Sequence, residues 1–92
     1  MVDVVLTPQA HADLVRLEEF LWQSQDPLAS ELLAFLLDGL FVLTHQPGVG
    51  RPLLHGHREL IISRGRGGYL ARYVFDTHRQ RVIVLGSRHQ RE

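Results

Sequence analysis

Residues 58–91, RELIISRGRGGYLARYVFDTHRQRVIVLGSRHQR, decide the fold. They contain three short apolar runs rich in β-branched and aromatic residues, which favour strands over helices. The runs cover residues 60–62, 69–75 and 82–85. A glycine-rich segment, 63–68, separates the first two runs, and five polar residues, 76–80, separate the last two. A parallel return would need a crossover of roughly a dozen residues, so the stretch predicts an antiparallel three-stranded meander over about 58–88.

Two helix start signals stand upstream of the meander. Thr7 offers a hydroxyl N-cap before Pro8, and Asp26 before Pro27 repeats the pattern. Apolar residues recur at helical spacing after each signal. These patterns predict a helical hairpin over about 8–45, with the second helix extending to about His45.

The element order predicts the architecture of a single domain spanning residues 1–92. The short apolar run 2–6 is predicted to be a strand that joins the meander, which gives the order β-α-α-β-β-β. This order predicts an α+β fold, with an αα-hairpin packed on one face of a mostly antiparallel, curled β-sheet. A chain of 92 residues forms one small domain with a modest core.

Composition limits the classes of function. The chain has no cysteine, so neither a disulfide scaffold nor a thiolate site is available. Residues 1–6 lack the basic segment of a signal peptide, and no apolar run approaches the roughly 20 residues of a membrane span. We therefore expect a cytoplasmic protein without membrane association.

Charge is divided unevenly between the two halves. Residues 1–45 carry seven acidic side chains and one arginine, whereas residues 46–92 carry nine arginines and three acidic side chains. All ten basic residues are arginine, which suits bidentate recognition of carboxylate or phosphate. Two interpretations stay open. The charges are either the solvent-exposed residues of a helix layer and a sheet, or the arginines form an anion-binding sheet surface for nucleic acid or an acidic protein segment.

Alternation along the longest strand predicts which face of the sheet is open. One face collects Tyr69, Ala71, Tyr73 and Phe75, and the other collects Leu70, Arg72 and Val74. Burying an unpaired guanidinium would cost several kcal/mol, so Arg72 is predicted on the open face. An open face that mixes apolar and cationic side chains favours a protein partner. The last strand is apolar on both faces, and its orientation stays open.

Four motifs resemble a known family. They are Leu6-Thr7-Pro8-Gln9-Ala10-x-x-Asp13-Leu14, then Leu43-x-x-x-Pro47-x-x-Gly50-Arg51-Pro52 ahead of Arg58-Glu59-Leu60, then Gly68-Tyr69-x-x-x-Tyr73, and finally Arg88-His89-Gln90-Arg91. Their order and spacing resemble those of the RelE/ParE superfamily of toxins from bacterial type II toxin–antitoxin modules. The resemblance covers nearly the whole chain.

The resemblance implies a growth-inhibiting toxin neutralised by an antitoxin encoded beside it. The antitoxin's C-terminal segment would cover the open sheet face, partly as a helix. Its N-terminal domain would bind operator DNA, so that the toxin reaches DNA only indirectly within a toxin–antitoxin hetero-oligomer. RelE-like members cleave mRNA in the ribosomal A site, whereas ParE-like members, linked to plasmid stabilisation, poison DNA gyrase.

Two departures from the RelE-like pattern favour the ParE-like branch. Leu70 stands where RelE-like nucleases tend to carry an arginine, and the tail lacks their terminal catalytic residue, His89 being the nearest candidate. The alternative is a metal-independent endoribonuclease that uses His57, Arg72 and His89, since histidine can act as acid or base near neutrality. A third interpretation is a degenerate, non-toxic protein that only binds its antitoxin.

The candidate binding residues are mostly cationic and lie in the C-terminal half. For contact with antitoxin or target they are Arg58, Arg64, Arg66, Leu70, Arg72, Arg88, His89 and Arg91. Residues 64–68 form an arginine-glycine segment that lacks the strand-then-helix context of a phosphate loop, and a hairpin tip is the simpler interpretation. The pair His55 and His57 has no third ligand nearby in sequence. We therefore predict no metal site and no cofactor.

Overall fold

The computed structural model describes residues 1–64 and 67–92. Five strands form one sheet in the order β1-β5-β4-β3-β2. The strands are β1 Asp3–Leu6, β2 Arg51–Pro52, β3 His57–Arg64, β4 Gly67–Asp76 and β5 Arg81–His89. The meander pairs antiparallel throughout, whereas β1 pairs parallel with the first half of β5. The predicted meander and the joining of residues 2–6 to the same sheet are confirmed, and β2 is a short strand that the sequence did not reveal.

Two helices form the second layer of the α+β fold. Helix α1, Pro8–Gln23, packs on β5 and β1, and helix α2, Ala29–Phe41, packs on β3. The Thr7 hydroxyl accepts a hydrogen bond from the Ala10 amide at 3.1 Å, which confirms the predicted N-cap of α1. Two short 3₁₀ turns, Val42–Thr44 and Leu54–Gly56, extend the connections.

Helix α2 is shorter than the sequence predicted at both ends. The Asp26 carboxylate accepts a hydrogen bond from the Leu28 amide at 2.8 Å and so forms a turn that precedes the helix. The helix itself begins at Ala29, and after Phe41 the chain tightens into the Val42–Thr44 turn. The predicted end near His45 is therefore wrong for the α-helix, although the helical path continues almost to that residue.

The core lies between the hairpin and one face of the sheet, which we call the helix side. Helix α1 contributes a stripe of buried residues, Ala10, Leu14, Leu17 and Leu21, and α2 contributes Ala29, Leu32, Leu36 and Leu40. Gly39 allows α2 to approach β3 closely, because a β-carbon there would lie 2.7 Å from the Ile62 side chain. The sheet supplies Ala71 and Tyr73, which are fully buried as the alternation predicted, with Tyr69 and Phe75 packed against them.

On the opposite face, which we call the front, no helix packs among residues 1–64 and 67–92. Strand register and alternation place on it His57, Glu59, Ile61, Leu70, Arg72, Val74, Ile83 and Arg88. Arg72 is exposed, as predicted, whereas Leu70 beside it is only 8% exposed. The front is thus an open surface on which apolar and polar side chains are equally represented, with Leu70 buried among them.

A β-bulge settles the orientation of β5, which the sequence left open. Tyr73 pairs with Val84, whereas the preceding residue, Arg72, pairs with Gly86. Leu85 is therefore an extra residue on β5 with no partner on β4. The extra residue reverses the alternation halfway along the strand. Val82 and Val84 consequently face the core in the first half, and Ser87 lies on that same side in the second half.

The loop between α2 and β3 is tied to the buried hydroxyl of Tyr73. That hydroxyl donates to the Pro47 carbonyl at 2.8 Å and accepts from the Gly50 amide at 2.9 Å. Arg58 donates to the Gly50 carbonyl at 2.8 Å, and Arg51 pairs with Glu59. Gly50 is required here, because a β-carbon would lie 2.6 Å from the Tyr73 hydroxyl.

Candidate partner-binding site

A cavity of about 270 Å³ opens on the front of the sheet. Its lining combines strand residues with two residues of α1: Asp13, Arg16, Glu59, Leu70, Arg72, Gly86, Ser87 and Arg88. Leu70 forms an apolar floor between neighbouring charged side chains. The cavity therefore offers one apolar contact surrounded by groups that recognise charge.

Helix α1 reaches this cavity because β1 covers only the first half of β5. Beyond Val84 the edge of β5 is bordered by α1, whose Asp13 carboxylate accepts a hydrogen bond from the Ser87 amide at 2.9 Å. Arg16 donates to the Ser87 carbonyl at 3.3 Å. Both bonds fix α1 beside the front and place two opposite charges at the rim of the cavity.

Arg72 and Arg88 are the free cations of the front. Both are exposed, and within residues 1–64 and 67–92 neither forms an ion pair. Glu59, by contrast, is occupied by Arg51. Two unpaired guanidinium groups beside an apolar floor suit an acidic, partly apolar polypeptide.

The helix side carries a second and larger depression, about 1030 Å³, between the hairpin and the far end of the sheet. We call it the groove. Its apolar wall is formed by Leu17, Phe20, Leu21, Leu28, Leu32, Phe35 and Tyr69. Phe20 is 64% exposed there, which is unusual for a phenylalanine. The sequence showed that the hairpin is very apolar but could not show that part of this apolar surface stays exposed.

The polar rim of the groove includes Arg16, His89, Arg91 and Glu92. The His89 ring contacts Tyr69 edge-on, with ring centroids 5.1 Å apart. Arg16 donates to the Glu92 carboxylate at 2.6 Å. Because Arg16 lines both the cavity and the groove, the two depressions meet at this side chain.

The ion pair between Arg16 and Glu92 changes the pKa of both side chains. The hydrogen bond from Arg16 lowers the pKa of the Glu92 carboxyl below its ordinary value, and the same bond raises the pKa of Arg16. A lowered carboxyl pKa in the folded state means that the pair stabilises the protein above the unfolded pKa. That contribution is lost as the pH falls through the lowered folded value.

We expect Glu92 to titrate below the ordinary carboxyl pKa of about 4.3, and the Arg16→Gln variant to raise its midpoint towards that value. Carboxyl-carbon NMR titration measures both midpoints. The Arg79→Gln variant, at the exposed turn between β4 and β5, should leave the titration unchanged. Because both partners are substantially exposed, the effect on stability should not exceed about 1 kcal/mol. Equal midpoints in the wild-type and Arg16→Gln proteins would show that the pair does not persist in solution.

The predicted binding residues divide between the two faces. The front brings together Leu70, Arg72 and Arg88, whereas His89 and Arg91 lie at the groove. Arg58 belongs to neither surface, because its register with Tyr73 places it on the helix side, where it holds the loop through the Gly48 and Gly50 carbonyls. Arg66 and the side chain of Arg64 lie outside the described residues.

The alternative catalytic set is not assembled. His57 pairs with Val74 on the front, whereas His89 pairs with Tyr69 on the helix side. Their partners Val74 and Tyr69 are five positions apart on β4, a distance of roughly 17 Å along the strand. Arg72 lies on the front, as His57 does. His89 therefore shares a site with neither of them.

Two further findings concern metals and membranes. In the part of the chain that the structure describes, no group of three or more histidine, aspartate or glutamate side chains is placed to hold a metal ion. Among those same residues, no helix is both long enough and apolar enough to span a bilayer.

Comparison with known proteins assigns the family. Residues 4–92 match the family model described as the ParE toxin of type II toxin–antitoxin systems, parDE. The chain belongs to the ParE toxin family. Its sequence motifs, fold and family match together place it among RelE/ParE superfamily toxins, as the resemblance indicated. A search of curated proteins found no match.

Solved structures share the fold of this ParE-family chain. The chromosomal ParDE toxin–antitoxin system from P. aeruginosa superposes with a TM-score of 0.78 at 20% identity, covering 97% of this chain and 96% of that one. The toxin–antitoxin complex RelBE2 from Mycobacterium tuberculosis superposes with a TM-score of 0.68 at 26% identity, covering 97% and 98%. These likenesses support the two-layer architecture described above.

Several motif residues of this ParE-family chain prove to be structural. Pro47 and Gly50 hold the Tyr73 hydroxyl, and Arg51 holds Glu59. Asp13 fixes α1 to the edge of β5. These motif residues therefore hold the fold together, whereas Leu70 and Arg72 of the front cavity occupy the unspecified positions of the third motif.

Proposed function

We propose that this chain is a toxin that inhibits DNA gyrase and is neutralised by an antitoxin encoded in the adjacent reading frame, both acting in the cytoplasm. Membership of the ParE family over residues 4–92 carries the proposal. Two of the structures that share its fold are described as toxin–antitoxin systems or complexes, which supports an antitoxin partner. We call the product of the adjacent reading frame the candidate antitoxin.

The front is the proposed contact for the antitoxin's C-terminal segment. The unpaired Arg72 and Arg88 would bind acidic side chains, and Leu70 would take an apolar one. Arg16 joins the cavity to the groove, so the same polypeptide can continue around α1 and place an amphipathic helix against Phe20 and its apolar neighbours. One antitoxin segment would then cover both depressions.

Separation of the two histidines supports gyrase inhibition over RNA cleavage. Cleavage by 2′-hydroxyl attack needs an acid and a base close to one phosphate, and His57 and His89 lie on opposite faces of the sheet. Leu70, in the floor of the front cavity, also supplies no charge for a phosphate. An inhibitor that acts by binding needs neither arrangement.

Expression without the candidate antitoxin tests the proposal. We expect growth arrest with DNA breaks and filamentation, and loss of supercoiling when purified chain is added to gyrase. Rapid loss of translation with mRNA cut in the ribosomal A site would instead indicate the RelE-like endoribonuclease. Normal growth would indicate a non-toxic protein that only binds its antitoxin. Co-expression of the candidate antitoxin should restore growth in either toxic case.

The histidine variants provide a second test. His57→Ala and His89→Ala should each change toxicity by less than about threefold, because neither ring has a catalytic role in the proposed mechanism. Growth of induced cultures and gyrase inhibition by purified variants measure the effect. A loss of several hundredfold, with melting temperature and antitoxin binding unchanged, would assign the ring to catalysis and reverse the choice of branch.

A further inference from the structure

The helical hairpin carries large apolar side chains that stay exposed. On α2, Leu33, Leu37 and Phe41 recur every four residues and so share one flank of the helix. On α1, Val15 and Trp22 are seven residues apart and share a flank in the same way. All five are between 39% and 60% exposed, and none of them lines the cavity or the groove. We call the surface that these five residues form the outer face.

The exposed flanks of the two helices face each other across the seam between α1 and α2. Each of the five residues directly follows a buried leucine: Leu14, Leu21, Leu32, Leu36 and Leu40. All five therefore lie on the same flank relative to the buried stripe of their helix, and in antiparallel helices on one sheet such flanks face either towards or away from each other. Asp13, on the opposite flank of α1, binds the edge of β5 on the β1 side, away from α2. The outer face is thus one continuous apolar surface along the seam.

The outer face lies in an acidic part of the chain. Residues 17–50 contain five acidic side chains and no arginine or lysine. Glu19 and Asp38 are exposed on the two helices that form the face, and among residues 1–64 and 67–92 neither of them forms an ion pair. The outer face is therefore opposite in charge to the front, where Arg72 and Arg88 are the free cations.

Charge decides which polypeptide can cover the outer face. A second copy packed through the same face would bring Glu19 and Asp38 against further acidic side chains, with no cation in residues 17–50 to compensate. An acidic segment of the kind that suits the front would be repelled in the same way. A cationic amphipathic helix fits, because its apolar side chains would lie along the seam while its lysines and arginines reach the acidic side chains.

We propose that the outer face binds a cationic amphipathic helix of the protein that this toxin inhibits. The inference rests on the proposed function, since it assumes a protein target, and it gives that target a surface separate from the antitoxin's. Antitoxin and target then contact surfaces of opposite charge. Because the groove is formed by the same two helices, an antitoxin helix seated there would hinder the approach of a large target.

Substitutions on the helices test the proposal with purified protein. Leu37→Gln removes an apolar contact and Asp38→Arg reverses a charge, and each should raise the concentration that half-inhibits gyrase supercoiling by at least about tenfold. Affinity for the candidate antitoxin, measured by calorimetric titration, should stay within about threefold of the wild type, since neither residue lines the cavity or the groove. Leu54→Gln is the matched control: Leu54 is exposed in the 3₁₀ turn Leu54–Gly56, outside the hairpin, and its variant should inhibit gyrase as the wild type does.

The outcomes separate the outer-face contact from the function beneath it. Leu37→Gln and Asp38→Arg proteins that inhibit gyrase as well as the control does overturn the contact and leave the toxin function intact. Loss of antitoxin binding together with inhibition assigns the face to the antitoxin, and self-association of the wild type that Leu37→Gln abolishes assigns it to a second copy; both results overturn the proposal. If melting curves show that Leu37→Gln does not fold, Asp38→Arg decides alone. A wild-type chain that does not inhibit gyrase removes the proposed function and this inference with it.

Discussion

Replacing Tyr73 with alanine is expected to remove most of the stability of this domain. Tyr73 is fully buried at the centre of β4, and truncating a buried aromatic side chain costs about 3–5 kcal/mol. The same change takes away the hydroxyl that holds Pro47 and Gly50. Since single domains have free energies of unfolding of about 5–15 kcal/mol, the variant should be largely unfolded near physiological temperature.

The Tyr73→Phe variant isolates the contribution of the hydroxyl. It keeps the ring but leaves the buried Gly50 amide without its acceptor, at a cost of about 1–3 kcal/mol. In a domain of this size each kcal/mol lowers the melting temperature by about 4–8 °C. Thermal unfolding followed by circular dichroism measures both variants.

Tyr69→Phe is the matched control for the hydroxyl. Tyr69 lies on the same face of the same strand but is only half-buried, at the end of the sheet beside His89. Its melting temperature should stay within about 2 °C of the wild type. A Tyr73→Phe variant as stable as this control would mean that the 47–50 loop is held by other contacts.

Reversing the charge of Arg72 or Arg88 is expected to weaken antitoxin binding by at least roughly thirtyfold. Replacing either cation by glutamate turns an attraction into a repulsion on the front, and disrupting a close charge pair at an interface costs about 2–5 kcal/mol. The fold should survive, because both side chains are exposed and unpaired among the described residues. Calorimetric titration with the candidate antitoxin measures the affinity.

Arg79→Glu is the control for charge reversal. Arg79 is an exposed arginine at the turn between β4 and β5, away from the cavity. It should bind the antitoxin with an affinity within about threefold of the wild type. If Arg72→Glu and Arg88→Glu bind as tightly as this control, the front is not the antitoxin surface. A uniform loss in all three would show a general charge effect.

Much of the fold could be predicted from local sequence. Helix α1 follows from Thr7, Pro8 and its apolar stripe, and β4 follows from the alternation that buries Tyr73 and exposes Arg72. Both predictions succeed because the pattern repeats at the period of the element itself. The end of α2 was misjudged since its apolar residues continue past Phe41, where periodicity gives no reason to stop.

The candidate site could be predicted only in part. Leu70 and Arg72 lie in one cavity on the open face, as the alternation of β4 suggested, and the cavity also includes Arg88, whose orientation the sequence left open. Arg58, which the sequence analysis assigned to partner contact, donates to the Gly48 and Gly50 carbonyls, because the irregular loop folds back beside β3 in a way that periodicity does not reveal. The groove was missed, since only the assembled hairpin and sheet reveal that Phe20 is exposed beside Tyr69 and His89.

By itself the sequence determined the order of the two helices and the four longer strands, the buried face of β4 and the resemblance to RelE/ParE toxins, because each depends on residues close together in the chain or on motifs read in order. The tertiary structure alone decided which groups share a surface. The extra residue at Leu85 reverses the alternation of β5, so Arg88 lies on the front and His89 on the helix side. A strand that is apolar on both faces carries no signal for such a bulge, and only its pairing with β4 fixes where the reversal occurs.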